Sequence, residues 1–324
     1  MSDLPWLADA NSRLDARLRR GQLPQALLIH GPSGVGRRHF ALGVAARLLG
    51  SPWRPGIDTV LDPLEAVPHP DYWHLGPEED SREIKVDQVR ALIRTLALTS
   101  HDSGRKVGLV WPADQLNHYA ANTLLKTLEE PPAGTTLILV AGSSARLPAT
   151  IVSRCEQVRL PTPPASVSLA WLSQLHPDRA DCERALAFAS GGPLMALALL
   201  REDKSGGTAG ILVELAGELQ QLVDRKAPPT TIAKAWAKRD AGVCLRWLFL
   251  QTAALLRRTA GVAEDPTSRA FPLKIHEGTV NMAACCAYLD QVLEAQRLKD
   301  RSLNMEVMFA DLLMWWYGAA GAVR

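Results

Sequence analysis

The sequence predicts an α/β domain built on a parallel sheet, followed by a small helical unit and a larger all-α unit. Three observations carry this reading. Short apolar runs alternate with amphipathic stretches through the first half, as strand-helix-strand crossovers require. A glycine-rich string stands between the first apolar run and an apolar helix. After Pro161-Thr162-Pro163-Pro164 the strand-like alternation gives way to helical periodicity.

Taken in order, Ala26 to His30 reads as the first strand, and Tyr72 to Leu75, Val107 to Trp111, Thr136 to Val140 and Glu156 to Leu160 as four more. Val86 to Leu98 carries apolar residues at helical spacing. From Asp114 to Glu130, Leu116, Ala120, Leu124 and Leu128 recur every four positions until Pro131-Pro132 stops the run, which predicts an amphipathic helix. The proline hinge ends a first domain at 1–162. A helical unit over 163–205 contains the turn Ser190-Gly191-Gly192-Pro193, and Lys204 to Thr208 reads as a second linker into 206–324. There, 265–278 is a polar connection, and 282–301 and 303–317 are helices by period.

The 324 residues suffice for two or three domains with real cores. Hydrophobic residues at 47% and charged residues at 22% exclude disorder and fibrous repeats. A net charge of +2 lacks the positive field of a stand-alone nucleic-acid binder. Asp3, Asp9, Arg13, Asp15 and Arg17 interrupt the amino-terminal apolar residues, which speaks against a signal peptide, and no stretch is apolar enough to span a bilayer. A cytoplasmic protein is expected. Cys155, Cys182, Cys244, Cys285 and Cys286 form no C-x-x-C pair, so we expect reduced, mostly buried thiols and no structural zinc.

The glycine-rich string is Gly31-Pro32-Ser33-Gly34-Val35-Gly36-Arg37-Arg38, in the strand-loop-helix setting of a phosphate-binding loop. A working loop of that type places a lysine on the β- and γ-phosphates and a Ser or Thr hydroxyl on magnesium. Arg37 and Arg38 stand in those places. Arginine keeps the charge, but its planar fork does not replace a compact ammonium, and Arg38 has no oxygen to offer a metal. The third strand ends Val110-Trp111-Pro112 where acids should organise magnesium and water. Asp114, beyond the proline, suits the start of the next helix as a cap or first-turn anion. The expectation is a relic loop: Gly31, Gly34, Gly36, Arg37 and Arg38 hold no functional cofactor.

Two strings then carry a family resemblance. Ala121-Asn122-Thr123-Leu124-Leu125-Lys126-Thr127-Leu128-Glu129-Glu130-Pro131-Pro132 closely resembles the "NALLKTLEEPP" segment of bacterial clamp-loader subunits, and Leu147 to Cys155 resembles their "LPxTIxSRC" element. Pro5-Trp6-Leu7, His69-Pro70-Asp71 and Ile84 to Arg90 resemble the delta-prime members in particular. The resemblance implies an AAA+ module with a helical lid and an all-α oligomerising collar. It also implies a component of the DNA polymerase III holoenzyme, a DNA-directed DNA polymerase, without catalysis of its own. Implied partners are the gamma or tau ATPase subunits, which bind the ATP, and the delta subunit. Through the complex they include the beta sliding clamp and primer-template DNA. Arg154 becomes an arginine finger acting in trans on a neighbouring ATP site, with Ser153 as its supporting motif residue.

Two departures from the family matter. No cysteine lies between Leu49 and Pro68, where many relatives carry a four-cysteine zinc module, so zinc is expected to be absent. The turn Gly191-Gly192-Pro193-Leu194-Met195-Ala196 lacks the arginine of "GSLRDAL". Leu289 to Val292 and Arg301 to Asn304 are modest echoes in the last domain. Met308, Leu312, Leu313, Trp315, Trp316 and Tyr317 of the last helix either offer anchors to partners or fill their own core. Two rivals remain: an active gamma-type ATPase of the same fold, and a direct DNA-binding module.

Overall fold

Strand β1 (Ala26–His30) sets the frame of the first unit, because its four apolar residues are all buried and it pairs on both sides. The computed structural model describes residues 4–22, 25–56, 66–78, 81–98, 100, 104–201, 208–262, 266–275, 281–299 and 304–319. A 3₁₀ turn at Pro5–Leu7 leads into α1 (Ala8–Arg19). After β1 come α2 (Arg37–Leu48), β2 (Tyr72–Leu75), α3 (Val86–Ala97) and β3 (Lys106–Val110). They are followed by α4 (His118–Glu129), β4 (Thr135–Ala141), the single turn α5 (Ala149–Val152) and β5 (Glu156–Arg159).

The strands form one sheet of order β2-β3-β4-β1-β5 with every pair parallel. Leu28 lies opposite Leu139 on one side and Gln157 on the other. Every residue of β3 and β4 is buried, as expected where helices cover both faces of a parallel sheet. Side chains alternate. Leu28, Leu137 and Leu139 join Leu92 and Leu96 of α3 and Leu124 and Leu128 of α4 in one cluster. Leu27, Ile29, Ile138 and Val140 point the other way, toward the face that α2 covers. The five predicted strands are present to within one residue at each end.

The helix predicted over Asp114 to Glu130 starts later than expected. Ala113–Gln115 forms a 3₁₀ turn, Leu116 and Asn117 are extended, and α4 begins at His118. Leu116 forms a parallel bridge with Ile84, supported by Ile84 N–H to Gln115 O at 2.8 Å and Asn117 N–H to Ile84 O at 3.2 Å. The Asn117 side chain then accepts from Ala120 N–H at 2.9 Å, so Asn117 caps the helix and Asp114 does not. Tertiary pairing overrides a periodicity that ran on unbroken.

By compactness the chain divides into Met1–Trp171 with Gly191–Met195, and Leu172–Ser190 with Ala196–Arg324. The described elements after β5 are all helical: α6 (Ala165–Leu172), α7 (Arg179–Phe188), α8 (Pro193–Arg201), α9 (Thr208–Val223), α10 (Pro229–Trp236), α11 (Ala241–Thr259), α12 (Pro266–Ala270), α13 (Met282–Leu298) and α14 (Met305–Ala319). Residues 204–207 of the expected second linker, 57–65 of the region compared with the zinc module, and Arg301 to Leu303 lie outside the described residues. The stretch expected as a connection over 265–278 contains α12, whose neighbour Phe271 packs edge-on to Trp247 at 4.5 Å. In α14, Leu312, Leu313 and Trp316 are buried, and Trp315 stacks on Tyr288 at 4.4 Å. These residues fill their own unit. Four cysteines are buried, whereas Cys286 is exposed on α13. Among the described residues no helix is long and apolar enough to cross a membrane.

Replacing Asn117 by alanine should lower the unfolding free energy by about 1 kcal/mol through loss of the cap. Chemical denaturation measures it; an unchanged midpoint and slope would mean that the helix does not depend on a cap at Asn117.

Candidate functional site

The loop leaving β1 emerges from the sheet's carboxyl edge between the ends of β4 and β5, where open α/β sheets hold ligands. Its main chain is tightly held. A Cβ on Gly31 would stand 2.1 Å from the Leu160 carbonyl oxygen, and Leu160 N–H donates to His30 O at 2.8 Å. Gly34 O accepts Leu194 N–H at 2.9 Å. Gly36, at φ +90°, sits in left-handed backbone, and its carbonyl accepts the first helical bond of α2 from Phe40 at 2.8 Å. The amino end of α2 therefore faces the loop with its positive dipole, as a phosphate site requires.

The side chains around that frame tell a different story. Arg37 and Arg146 gather around Asp114, which is mostly buried. Its Oδ2 lies 3.4 Å from Gly142 N, just after β4, and 3.5 Å from Arg146 Nη1. Burial holds Arg37 below its usual range; Asp114 opposes that shift and Arg146 adds to it. Asp114 thus serves as the local counter-charge to two guanidinium groups, a role the sequence did not suggest. Arg38 lies over the Trp111 ring, with Cζ 4.9 Å from the ring centroid. Burial first, and the Arg38 charge second, hold His74 below its ordinary value. A guanidinium and an indole therefore occupy the ground between the loop and the end of β3, where Trp111, Pro112 and Ala113 follow the strand.

The flank of the loop is also covered. Trp6 Nε1 donates to Val35 O at 2.9 Å, and the Trp6 ring packs edge-on to Trp171 at 5.1 Å. A Cβ on Gly36 would meet Leu4 at 2.9 Å and Leu194 at 3.2 Å. Trp6 carried a family resemblance in the sequence; its hydrogen bond to the loop had no sequence signal.

Ser153 and Arg154 belong to the opposite edge of the sheet, since they precede β5 while the loop follows β1. Four strand residues separate those edges by on the order of 13 Å. Ser153 Oγ donates to Thr150 O at 3.1 Å. Arg154 Nε donates to Glu129 Oε1 at 2.5 Å, Nη2 pairs with the same oxygen, and Nη1 donates to Thr150 O at 2.9 Å. Arg154 is 36% and Glu129 48% exposed, so the pair contributes about 0–1 kcal/mol to stability. Cys155 turns inward to the core, and burial pushes its thiol up to about 11, which keeps it protonated and inert near neutral pH.

The two strings singled out in the sequence thus meet in space, through Glu129 of one and Arg154 of the other. Comparison with known proteins agrees with them. The family described as DNA polymerase III, delta subunit, matches residues 7–164. The DNA polymerase III subunit delta' of Pseudomonas aeruginosa is 33% identical over 99% of both chains. The chain belongs to the delta' family of DNA polymerase III. The delta' subunit of Escherichia coli is 30% identical over 96% of this chain and 94% of its own, and that of Haemophilus influenzae 36% identical over 61% and 62%.

Within this delta' chain, the loop glycines serve packing whatever the loop once held. Gly31→Ala should destabilise the protein by about 3 kcal/mol, because a backbone oxygen cannot yield 1 Å or more without breaking the Leu160 to His30 bond. Denaturant titration checks this, and a loss below about 0.5 kcal/mol, ordinary for a neutral surface change, would contradict it.

Proposed function

We propose that this delta' chain is an ATP-incompetent stator of the DNA polymerase III clamp loader. In this reading it helps load the beta clamp onto primed DNA and completes a neighbouring subunit's ATP site with Arg154. Its partners are gamma or tau ATPase subunits and the delta subunit. The three-part division at 1–162, 163–205 and 206–324 belongs to the same proposal, with the last part as the collar that joins the subunits.

One observation carries the reading: the two positions that would hold the phosphate-binding lysine and the magnesium hydroxyl are Arg37, which faces Asp114, and Arg38, which lies on Trp111. Magnesium requires hard oxygen ligands, and Arg38 over Trp111 offers a cation and a ring instead. The phosphate-binding lysine is replaced by Arg37, which already faces Asp114. The residues present do not fit the group, and no hydrolytic step is assigned to them.

Arg154 suits action on a neighbour. It is fixed by Glu129 and Thr150 yet more than a third exposed, so its guanidinium can meet a phosphate brought by another chain. Charge on a transferring phosphoryl group is stabilised by such a donor, at gains of roughly 10³ to 10⁵ in kcat where it has been isolated.

The test is a loader reconstituted with Arg154→Ala in this chain. We expect normal assembly and a loss of at least about tenfold in clamp- and DNA-stimulated ATP hydrolysis at the adjoining site. Wild-type rates in a fully assembled complex would refute the role.

A further inference from the structure

We propose that Glu129 is the positioning residue for Arg154: its carboxylate grips the Nε side of the guanidinium and holds it in place for a neighbouring phosphate. This inference rests on the arginine-finger reading of Arg154.

The geometry supplies the argument. An arginine side chain has five N–H donors in a rigid plane: one on Nε and two on each terminal nitrogen. Glu129 Oε1 takes Nε–H, at 2.5 Å, together with one N–H of Nη2. Those two donors point the same way, so a single acceptor holds the side edge of the plane. Thr150 O takes one N–H of Nη1 at 2.9 Å, which fixes rotation about the last bond. Nη1 also approaches Ser153 Oγ at 3.5 Å. The second N–H of Nη2 has no acceptor among the described residues. With the Nε side of the plane gripped, that donor is the one left for an oxygen of a phosphate.

Nothing in the fold demands this pair. Both partners are substantially exposed, and the surrounding core is built by Leu128, Ile151 and Cys155, none of which needs Glu129 to be charged. The pair does join the two sequence strings that carry the family resemblance. The end of α4 ("LEE") supplies the anchor, and the residues after α5 ("SRC") supply the anchored group. The Pro131-Pro132 stop places Glu129 on the last residue of α4, so its side chain reaches from a fixed helix end. Positioning of this kind costs rate when it is lost, because a misplaced donor stabilises the transition state poorly even when it still binds.

The experiment uses the assembled loader carrying Glu129→Gln, Arg154→Ala, Arg154→Lys, and Glu129→Gln with Arg154→Lys in this chain. We expect Glu129→Gln to lower kcat for stimulated ATP hydrolysis by about tenfold with KM for ATP unchanged, since charge and orientation are lost while the arginine remains. In the Arg154→Lys background, where no planar fork exists to orient, adding Glu129→Gln should cause no further loss. On the isolated full-length chain, the Arg154 Nε–H nitrogen resonance should be slowly exchanging in the wild type and fast in Glu129→Gln.

Wild-type kcat for Glu129→Gln, alongside impaired Arg154→Ala, would overturn the positioning role and leave the finger standing. Unimpaired Arg154→Ala would remove the finger and this inference with it. A Glu129→Gln deficit that disappears when rates are expressed per assembled complex, or that repeats in full in the Arg154→Lys background, would show that Glu129 acts through assembly or folding and would equally overturn the proposal.

Discussion

The close approach of Gly31 to the Leu160 carbonyl is the contact on which the rest of the first unit depends. It ties the end of β1 to the residue that follows β5 and fixes the direction in which the chain enters α2. Gly34, through its bond to Leu194, and Gly36, in left-handed backbone, continue the same path. A loop held this firmly by main chain keeps its shape when its side chains change. That separates two things that look like one in the sequence: a phosphate-loop backbone and a phosphate-loop chemistry. The backbone is retained as a structural joint. Around it, Arg37 and Arg146 are balanced by Asp114, Arg38 lies on Trp111, and Trp6 covers the flank.

The parallel sheet then divides the molecule's chemistry between its two edges. At the carboxyl edge, Asp114 faces Arg37 and Arg146, and Arg38 lies on the Trp111 ring. At the amino edge of β5, a guanidinium is oriented and left accessible. One edge is self-sufficient; the other has a donor to spare. In the proposed reading, such a chain completes another subunit's site with Arg154 and performs no hydrolysis of its own.

Much of this was legible in the sequence where local rules act alone. The five strands show as apolar runs because parallel strands buried on both faces need nothing else, and the glycine-rich loop shows because its spacing is fixed by backbone geometry. The start of α4 was misread because the four-residue periodicity through Leu116 continues across a segment that pairs instead with Ile84, a partner some thirty positions away in the chain. The same unbroken periodicity makes Asp114 read as a cap or first-turn anion of the next helix. Its pairing with Arg146 and its place beside Arg37 depend on how β3 and β4 end side by side, which no local pattern encodes. Trp6 on Val35 and Glu129 on Arg154 are likewise long-range contacts, visible in sequence only as members of familiar strings. In the closing helix the sequence left open whether the aromatic residues anchor partners or fill their own core, and Trp315 and Trp316 pack with Tyr288.

The proposal stands or falls on whether the loop site is closed by packing and does not merely lack two side chains. Equilibrium titration of magnesium-ATP into the full-length chain, and into the double reversion Arg37→Lys with Arg38→Thr, tests it most directly. The account predicts that neither protein binds with a dissociation constant below about 1 mM, a free energy of about 4 kcal/mol. Micromolar binding by the wild-type chain would contradict it, and micromolar binding by the reversion alone would show that packing by Trp6 and Trp111 does not close the site.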